Sequence, residues 1–408
     1  MATSATSNYK GIDAADVAGK RVIVRADMNV PLAAGQVSDA TRIERVIPTL
    51  ENLTSRGAKV IILSHLGRPK GEKKPEFTLK PVAEKLGSML PGKTVRFVED
   101  CVGAVAEDAV NALQSGEIAV MENLRFYAAE EKDDPEFVAQ LAKLGDIYVN
   151  DAFSVSHRAH ASVHGIAFVL PAYAGLQMQA ELSALSKALE QPERPVAAIV
   201  GGAKVSTKIP LLSNLAPKVD ILFIGGGMAN TFLHAQGYNV GKSLCEPDFA
   251  DTVGQIMESA AASGCHIALP TDAVVAKEFA ADTPTSIHDV NDIPEDGMIL
   301  DIGPKSVADF AERIKSAKTL LWNGPVGAFE TSPFGAGTFV LADLAAKRTK
   351  EGELVSIGGG GDTVAALNMG GVTDSFTYVS TAGGAFLEWL EGRELPGVAA
   401  LSKSPSVA

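Results

Sequence analysis

The sequence predicts an α/β protein with two domains, each a parallel sheet with helices on both faces. Short apolar strands alternate with helical patterns along the chain, and this alternation is typical of parallel sheets. A length of 408 residues exceeds what one ordinary core holds and suggests two domains. Ligands of such sheets bind beyond the carboxyl ends of the strands. The residues that follow each strand are therefore the candidates for function.

The predicted elements follow one another in a regular order. The strands of the first half are Arg21–Arg25, Ala58–Leu63, Val95–Val98, Ile118–Met121 and Ile147–Asn150. Helices between them include Thr41–Arg56 and Leu79–Leu90. The strands of the second half are Val196–Val200, Ile221–Ile224, His266–Leu269, Thr319–Trp322, Leu354–Ile357 and Thr377–Tyr378. Between the halves we expect a helix over Tyr173–Glu190, followed by a stiff, proline-containing joint at Gln191–Pro195.

Composition excludes several classes of protein. Apolar residues make up 46% and charged residues 21%, and no apolar run approaches the roughly 20 residues of a membrane helix. The segment Met1–Lys10 has no apolar signal-peptide core. Three widely spaced cysteines are typical of buried thiols in a reducing compartment. A net charge of −13 argues against nucleic acid as a partner. We therefore expect a cytoplasmic protein that binds neither membranes nor nucleic acid.

The net charge is unevenly distributed. Residues 1–172 carry a net charge of −2, whereas residues 173–408 carry −11. The first half is therefore better suited to bare anions, and the second half to phosphate that is bound to a metal ion.

The segment Ser356–Thr363 contains four consecutive glycines between a strand and a helical run. Glycines let the backbone approach a ligand closely, and a helix N-terminus attracts anions. Asp362 at that point would weaken anion binding unless a cation lay between the two charges. The segment therefore indicates a nucleotide phosphate with Mg²⁺ held by Asp362. A tight turn in which Asp362 and Thr363 cap the helix is the alternative.

Basic side chains recur after the strands of the first half. Asp27 and Asn29 follow the first strand and are suited to hydrogen-bonding hydroxyl groups. The basic residues expected to converge at this edge are Arg42, Arg68, Arg125 and Arg158 with His65 and His160. Arginine binds carboxylate and phosphate through two parallel hydrogen bonds. Each of these residues alone is better explained as a surface ion pair or a structural histidine, but their recurrence favours a site for a small, multiply anionic, hydroxylated ligand.

Glycine turns follow the strands of the second half. In Gly201–Lys208, Lys204 and Lys208 are one helical turn apart and are easiest to explain if an anion binds between them. Gly225–Met228 is suited to holding a flat base or a ribose. Trp322–Glu330 offers apolar surface for adenine and Glu330 for ribose hydroxyls, although a structural turn explains it equally well. Ser380–Gly384 opens a helix that we expect to run to Glu391 and to provide a second anion-binding N-terminus.

Other motifs are weaker. Gly237–Ser243 resembles a P-loop but has one residue too few between its glycines, so we expect a loop. Asn230 stands where a dinucleotide-binding motif requires its third glycine, which counts against an NAD-dependent oxidoreductase. Asp151 and His157 lack the nucleophile elbow of a hydrolase triad. The pair His157 and His160 is too sparse for zinc.

Taken in order, these segments resemble phosphoglycerate kinase over nearly the whole chain, from about Arg21 to Leu401. The matching segments are Arg25–Pro31, His65–Pro69, Glu122–Arg125, Asp151–His160, Gly201–Lys208, Gly225–Leu233, Trp322–Glu330, Gly358–Thr363 and Ser380–Gly384. The resemblance implies two Rossmann-like lobes, each a parallel-sheet α/β/α sandwich, joined by a helical hinge. It implies a lobe for 3-phosphoglycerate and 1,3-bisphosphoglycerate over 1–172 with a C-terminal tail at about 392–408. A hinge helix over 173–190 and a lobe for Mg-ATP or Mg-ADP over 191–391 complete the chain.

The resemblance also implies roles for individual residues. The implied phosphoglycerate ligands are Asp27, Met28, Asn29, Arg42, His65, Leu66, Gly67, Arg68, Arg125, Arg158 and His160. The implied nucleotide ligands are Ala203, Lys204, Lys208, Gly226, Gly227, Asn323, Pro325, Glu330, Gly359, Gly360, Gly361, Asp362 and Thr363. Arg42, Lys204, Gly360 and Gly383 would surround the transferring phosphoryl group, with Gly384 beside Gly383, and Asp362 would hold Mg²⁺.

Mild departures leave the predicted activity in place. Ala26 and Met28 stand where the family often has other apolar residues, and Ser154-Val155-Ser156 replaces a run of Gly, Thr or Ala type. Thr207 takes a place that is Asp in some members. Substrates on different lobes imply hinge closure during reversible phosphoryl transfer. A monomer is the default expectation. A nucleotide-binding protein without catalysis is the remaining alternative.

Overall fold

The structure is a computed structural model that describes residues 9–405. The predicted lack of a signal peptide concerns Met1–Lys10, and residues 1–8 of that segment lie outside the described residues. The chain forms two compact units. The first comprises the described residues up to Ser183 together with those from Glu394 onward, and the second is Ala184–Arg393.

The first unit is built on a six-stranded sheet in the order β5-β6-β4-β1-β7-β8, in which every neighbouring pair is parallel. Its strands, including the antiparallel hairpin β2–β3, are β1 (Arg21–Ala26), β2 (Leu32–Ala33), β3 (Gln36–Val37), β4 (Lys59–Leu63), β5 (Val95–Val98), β6 (Ile118–Met121), β7 (Ile147–Asp151) and β8 (Ala172–Ala174). Its helices are α1 (Thr41–Ser55), α2 (Lys80–Met89), α3 (Gly103–Asn111), α4 (Ala128–Glu131), α5 (Pro135–Ala142) and α6 (Leu176–Leu189), which continues into the second unit.

The register of the central strands aligns their carboxyl ends. Arg25 on β1 lies beside Leu63 on β4 and Asn150 on β7. These strands are apolar and almost wholly buried, as expected for a parallel sheet covered on both faces. Helix α1 packs its apolar stripe, which includes Ile43 and Leu50, into the same core. The segments that follow the strands therefore begin at one edge of the sheet.

The second unit is built on a six-stranded parallel sheet in the order β11-β10-β9-β15-β16-β17, with a three-stranded antiparallel sheet in which β12 lies between β13 and β14. Its strands are β9 (Val196–Val200), β10 (Ile221–Ile224), β11 (His266–Ala268), β12 (Asp272–Ala276), β13 (Thr285–Asp289), β14 (Met298–Ile302), β15 (Thr319–Asn323), β16 (Val355–Gly359) and β17 (Tyr378–Ser380). Its helices are α7 (Ile209–Leu215), α8 (Gly227–Ala235), α9 (Ala250–Ala262), α10 (Pro304–Ser316), α11 (Ala336–Lys350), α12 (Gly361–Met369) and α13 (Gly384–Leu390).

The last helix, α14 (Pro396–Ser402), belongs to the first unit. The Gly397 amide donates to the Ser156 carbonyl at 2.8 Å, and Asn150 Nδ2 donates to the Gly397 carbonyl at 3.3 Å. A side chain at Gly397 would collide with its surroundings, since a Cβ there would lie 2.6 Å from Val163 Cγ1 and 3.0 Å from the Ser156 Cα. The close approach of α14 to the end of β7 therefore requires glycine.

The predicted α/β class with two parallel sheets is confirmed. The predicted strands agree with the observed ones to within about two residues at their ends, the usual uncertainty of element boundaries. The helix expected over Tyr173–Glu190 starts later, at Leu176, because Ala172–Ala174 pairs with β7 and buries Tyr173. The sheet β12–β14 was not predicted. Its strand β13 is polar and mostly exposed, so it lacks the apolar pattern on which the other strands were identified.

Two further expectations concern the described part of the chain. No helix there is long and apolar enough to cross a membrane. The three cysteines are free thiols: Cys101 and Cys265 are buried as expected, whereas Cys245 is partly exposed.

Candidate active site

A cluster of cationic and imidazole side chains lies at the carboxyl edge of the first sheet. Arg25 is only 1% exposed, and its Nη2 lies 3.1 Å from Nδ1 of His65. Arg25 Nε donates to Ser162 Oγ at 2.9 Å, and Ser162 donates to the buried Glu130 carboxylate at 2.5 Å. Burial raises the pKa of Glu130, while Arg25 and Ser162 oppose that rise. The buried arginine is therefore held in place from two sides.

The pKa shifts of the histidines show that several arginines lie close to them. Burial, followed by the charge of nearby arginines, holds the pKa of His65 well below its usual value. The arginines responsible are Arg25, Arg125, Arg42 and Arg158. Burial and the same kind of neighbours lower the pKa of His160 to about 3 and that of Arg125 to about 10. Such crowding of positive charge favours an anionic ligand, which would relieve it.

Asp27 and Asn29 form a second part of this edge. Arg42 Nη1 donates to Asp27 Oδ2 at 2.8 Å, and Ser154 Oγ makes a short hydrogen bond to the same oxygen. The Asn29 amide donates to Asp27 Oδ1 at 3.1 Å, and Asn29 Oδ1 accepts from the Gly67 amide at 2.9 Å. Loops after three different strands are thereby tied together.

The remaining residues assigned to this edge differ in their surroundings. Met28 is buried in the core, and its amide and carbonyl are both engaged in hydrogen bonds. Leu66 is also buried, and its backbone bonds with the Asn123 side chain. Arg125 donates to the Gly67 carbonyl at 2.7 Å. Arg68 is exposed, whereas Arg25, which was not among the four arginines expected to converge, is buried beside His65.

Sequence reasoning missed Arg25, Glu130 and Ser162 as parts of this cluster. Arg25 lies in an otherwise apolar strand, and a charged residue in such a strand was the one available signal. Glu130 lies in the single-turn helix α4 and Ser162 in a turn, and segments this short show no pattern that reveals their burial.

In the second unit, the glycine-rich turn lies between β16 and α12. Gly360 has φ +98°, and a Cβ there would lie 2.7 Å from Asn323 Nδ2. Asn323 Nδ2 donates to the Gly359 carbonyl at 2.7 Å, and Thr363 Oγ1 accepts from the Gly324 amide at the same distance. The N-cap is Gly360 without a side-chain bond, so the alternative in which Asp362 and Thr363 cap the helix is wrong. The first-turn N–H groups of α12 therefore have no side-chain cap.

Two lysines flank the turn after β9. Lys208 Nζ donates to Asn323 Oδ1 at 2.5 Å, and burial lowers the pKa of this lysine although Asp362 opposes the shift. Lys204 is exposed and extended, with φ −131°. The expectation that both stand on one helical turn is wrong, because Pro210 confines the start of α7 to Ile209 and leaves a short 3-10 turn before it.

A pocket of about 420 Å³ opens beside these turns. The predicted nucleotide residues that line it are Ala203, Gly226, Gly227, Pro325, Glu330 and Asp362. The other predicted nucleotide residues do not line it, namely Lys204, Lys208, Asn323, Gly359, Gly360, Gly361 and Thr363. Its apolar wall includes Phe329, from the segment Trp322–Glu330 that was expected to offer apolar surface for adenine, and Leu233. Sequence reasoning missed Leu244, Phe279 and Met298, because they come from widely separated segments. An apolar pocket with a few polar groups at its border is typical of a cofactor or nucleotide site.

Glycines shape one side of the pocket. Gly226 has φ +67°, and a Cβ on Gly227 would lie 2.6 Å from the Ala203 carbonyl. The turns after β9 and β10 therefore touch through their backbones. The loop expected over Gly237–Ser243 is confirmed, since no helix or strand includes these residues.

Asp301 lies at the back of the same pocket. Its carboxylate accepts from the Ile302 and Gly337 amides, both at 2.9 Å, and so binds the first turn of α11. Burial nevertheless raises the pKa of Asp301 to about 7, because two hydrogen bonds do not fully replace water.

Two predictions remain: the glycine-capped start of α13 and the residues that could hold a metal ion. Gly383 is the N-cap of α13, with φ +52°, and Gly384 is its first residue. Within residues 9–405, no group of three or more His, Cys, Asp or Glu side chains is arranged to hold a metal ion.

A family model described as phosphoglycerate kinase matches residues 12–393 of the chain. The chain belongs to the phosphoglycerate kinase family. Phosphoglycerate kinase from Agrobacterium fabrum is 62% identical over 390 residues, covering 96% of this chain and 97% of the relative. Phosphoglycerate kinase from Brucella abortus is 59% identical over 395 residues, covering 97% and 100%. The predicted family, fold class and phosphotransferase activity are confirmed by this membership.

Solved structures of the family share the fold of this chain. Phosphoglycerate kinase from Coxiella burnetii has a TM-score of 0.91 at 43% identity and covers 97% of this chain and 99% of its own. Phosphoglycerate kinase from Pyrococcus horikoshii has a TM-score of 0.79 at 30% identity, covering 96% and 98%.

Proposed function

We propose that the arginine-histidine cluster of the first unit binds phosphoglycerate and that the pocket of the second unit binds ADP or ATP with Mg²⁺. The observation that carries this assignment is the separation of two chemistries. One edge has crowded positive charge with lowered histidine pKa values, while the other has an apolar pocket bordered by glycine turns. A small polyanion suits the first, and a nucleotide suits the second.

In the first unit, we assign the binding of the non-transferring phosphate to Arg125, Arg158, His65 and His160. Asp27 and Asn29 are assigned to the hydroxyl and carboxylate end of the substrate. Met28 and Leu66 contribute through the backbone that positions these residues, since their side chains are buried. Arg68 acts from the exposed border of the cluster.

Mg²⁺ enters as part of the nucleotide substrate. Asp362 is an exposed carboxylate that lines the pocket, and among the described residues it belongs to no group of three or more His, Cys, Asp or Glu side chains that could hold a metal ion. Mg²⁺ commonly takes one or two carboxylates, with phosphate oxygens and water as its other ligands. Asp362 therefore fits a metal ion that arrives on ATP or ADP. When bound, Mg²⁺ neutralises phosphate charge.

The reaction moves a phosphoryl group between two oxygens. In the direction of ATP synthesis, a β-phosphate oxygen of ADP forms a bond to phosphorus. The bond from that phosphorus to the acyl oxygen of 1,3-bisphosphoglycerate breaks, which leaves the carboxylate of 3-phosphoglycerate. No general base is needed, because the attacking oxygen is already ionised.

The chain's own contribution is positive potential and alignment. Arg42 is held by Asp27 and would face the acyl end of the substrate, while Lys204 is exposed and unconstrained enough to accompany the moving group. Lys208, anchored on Asn323, would hold nucleotide phosphate, as would the backbone N–H groups of Gly359–Thr363. Gly383 and Gly384 are assigned to the transferring group, and Glu330 to the ribose. The segment 173–190 is assigned to the hinge, and a cytoplasmic monomer is the assumed state.

A coupled assay tests the function. Purified protein is supplied with 3-phosphoglycerate and Mg-ATP, and acyl-phosphate production is read through a reductase. We expect Mg²⁺-dependent turnover that falls by about 10³-fold or more in Arg42→Ala and Lys204→Ala, as for removal of charge from a phosphoryl-transfer site. Matched surface variants, Arg96→Ala and Lys277→Ala, should retain activity. Nucleotide binding without turnover would favour the non-catalytic alternative.

A further inference from the structure

The turn that follows Lys204 is held by a carboxylate from another part of the second unit. Lys204 is the N-cap of a short 3-10 turn over Val205–Thr207, and its own side chain makes no capping bond. The Ser206 amide instead donates to Glu246 Oε2 at 2.9 Å, and Ser206 Oγ donates to Glu246 Oε1 at 2.7 Å. Both oxygens of Glu246 are therefore engaged two residues beyond Lys204.

Glu246 is itself attached to helix α8 through its backbone. Its amide donates at 3.1 Å to Oγ1 of Thr231, a residue of α8 that is buried. Two positions earlier, the Leu244 carbonyl accepts from Asn230 Nδ2 at 3.1 Å, which adds a second bond to the same helix. The carboxylate thus connects a buried helix to the turn that begins at Lys204.

The charges of Glu246 and Lys204 also attract each other. Burial alone would raise the pKa of Glu246, but the hydrogen bonds from Ser206 and the positive charge of Lys204 outweigh it and lower that pKa below its ordinary value. Lys204 is exposed, so its ammonium remains accessible to a ligand. The same carboxylate therefore binds the backbone of the turn and attracts the lysine that precedes it.

The position of Glu246 separates it from the groups that we assign to the substrates. It does not line the nucleotide pocket, whereas Ala203, next to Lys204, does. Both of its oxygens are occupied by Ser206. Glu246 is therefore placed to act through the turn, and not by direct contact with a ligand.

We infer that Glu246 is a positioning residue for phosphoryl transfer, which holds the turn after Lys204 so that the lysine ammonium reaches the transferring group. The inference rests on the proposed function, in which Lys204 accompanies that group. A lysine carries its charge on a long, flexible stem, so the charge is aligned only if the backbone beneath it is fixed. Misplacement of a charged group by a small distance lowers the rate of a transfer step steeply. Loss of Glu246 should therefore lower kcat and leave the binding of both substrates nearly unchanged.

The experiment measures kcat and both KM values of the full-length protein in the coupled assay. We expect Glu246→Ala to lower kcat at least about 5-fold, because two hydrogen bonds to the turn are lost, and to change the KM for 3-phosphoglycerate and for Mg-ATP by less than about 2-fold. Glu246→Gln keeps an oxygen that can accept from the Ser206 amide and should lose less. Asp248→Ala removes an exposed acid from the same loop and, as the matched control, should retain the wild-type kcat.

A double-mutant cycle with Lys204→Ala shows whether Glu246 acts through the lysine. If it does, Glu246→Ala should lower the residual kcat of Lys204→Ala by less than about 2-fold, since the turn then has no ammonium to position. A carboxylate with a merely structural role would lower kcat by the same factor in both backgrounds.

Several results would overturn the inference. These are a wild-type kcat in Glu246→Ala, an equal loss with and without Lys204, and a rise in either KM that matches the fall in kcat. Equal losses in Glu246→Ala and Glu246→Gln would also contradict it, because the retained acceptor would then have no effect. If Glu246→Ala fails to fold, Glu246→Gln carries the same double-mutant cycle. Failure of the proposed function looks different, since Lys204→Ala alone would then retain the wild-type turnover.

Discussion

Arg42 donates from Nη1 to Asp27 Oδ2 at 2.8 Å, although Asp27 follows β1 and Arg42 stands in the first turn of α1. The same oxygen accepts a short hydrogen bond from Ser154. One carboxylate therefore connects three segments at the carboxyl edge of the first sheet. The arrangement orients the guanidinium that we assign to the reacting end of the substrate.

Removal of the Ser154 hydroxyl should disturb this carboxylate without affecting the nucleotide. In Ser154→Ala we expect the KM for 3-phosphoglycerate to rise about 5- to 20-fold, since hydrogen bonds to charged groups contribute about 1.5–3 kcal/mol and part of that is recovered from water. The KM for Mg-ATP should stay unchanged. Ser38→Ala, which loses only an exposed bond to the Pro31 carbonyl, is the control. Equal shifts in both KM values would indicate a general loss of structure instead.

Thr363 should matter for the nucleotide alone. Its hydroxyl accepts from the buried Gly324 amide, and Thr363→Val would leave that amide without a partner. A buried donor left unpaired costs the folded protein about 1–3 kcal/mol. Because the bond joins the turn after β15 to the turn that the proposed function assigns to nucleotide phosphate, its loss should displace that turn and weaken Mg-ADP binding by roughly 5-fold or more. The control is Thr373→Val, which removes an exposed side-chain bond to Asn368. Titration with 3-phosphoglycerate should give the wild-type affinity for both variants, and a weaker value for Thr363→Val would contradict this prediction.

His160 should make the protein sensitive to acid. Its pKa is about 3 in the folded protein, below the usual value of 6.5, so the unfolded chain takes up a proton first as the pH falls. The stability that depends on neutral His160 is complete above pH 6.5 and is lost as the pH falls toward about 3. Urea unfolding at pH 7 and pH 5 should show a smaller loss of stability in His160→Gln than in the wild type. Parallel losses in both proteins would exclude His160 as a cause.

Asp301 should make the protein less stable as the pH rises, which is the opposite of the effect of His160. Its pKa of about 7 in the folded protein exceeds the usual 3.8, so the folded protein retains a proton that the unfolded chain has lost. This contribution to stability is complete below about pH 4 and is lost as the pH rises through about 7. We expect the stability of Asp301→Asn, measured by urea unfolding, to rise relative to that of the wild type as the pH is raised from 5 to 8. A difference that does not vary with pH would contradict the assigned pKa.

The parallel sheets were predictable because their strands are buried on both faces and form continuous apolar runs, as in Val196–Val200. The turns after them were also predictable, since glycines and basic residues stand out against such runs. The sheet β12–β14 was not, because β13 has no apolar pattern. Arg25 and Asn230 illustrate the second limit: a polar residue in an apolar segment can be noticed, but its partner depends on residues far away in the chain.

The central claim is that the two ligands bind to different parts of the chain, and separate titrations with 3-phosphoglycerate and Mg-ADP test it most directly. Arg125→Ala removes a buried cation of the first unit, and Lys208→Met removes the lysine anchored on Asn323 in the second. We predict that Arg125→Ala loses at least about 10-fold in affinity for 3-phosphoglycerate and keeps its affinity for Mg-ADP, with the reverse result for Lys208→Met. If either variant weakened both ligands equally, or if 3-phosphoglycerate bound normally to Arg125→Ala, the assignment of the two sites would be wrong.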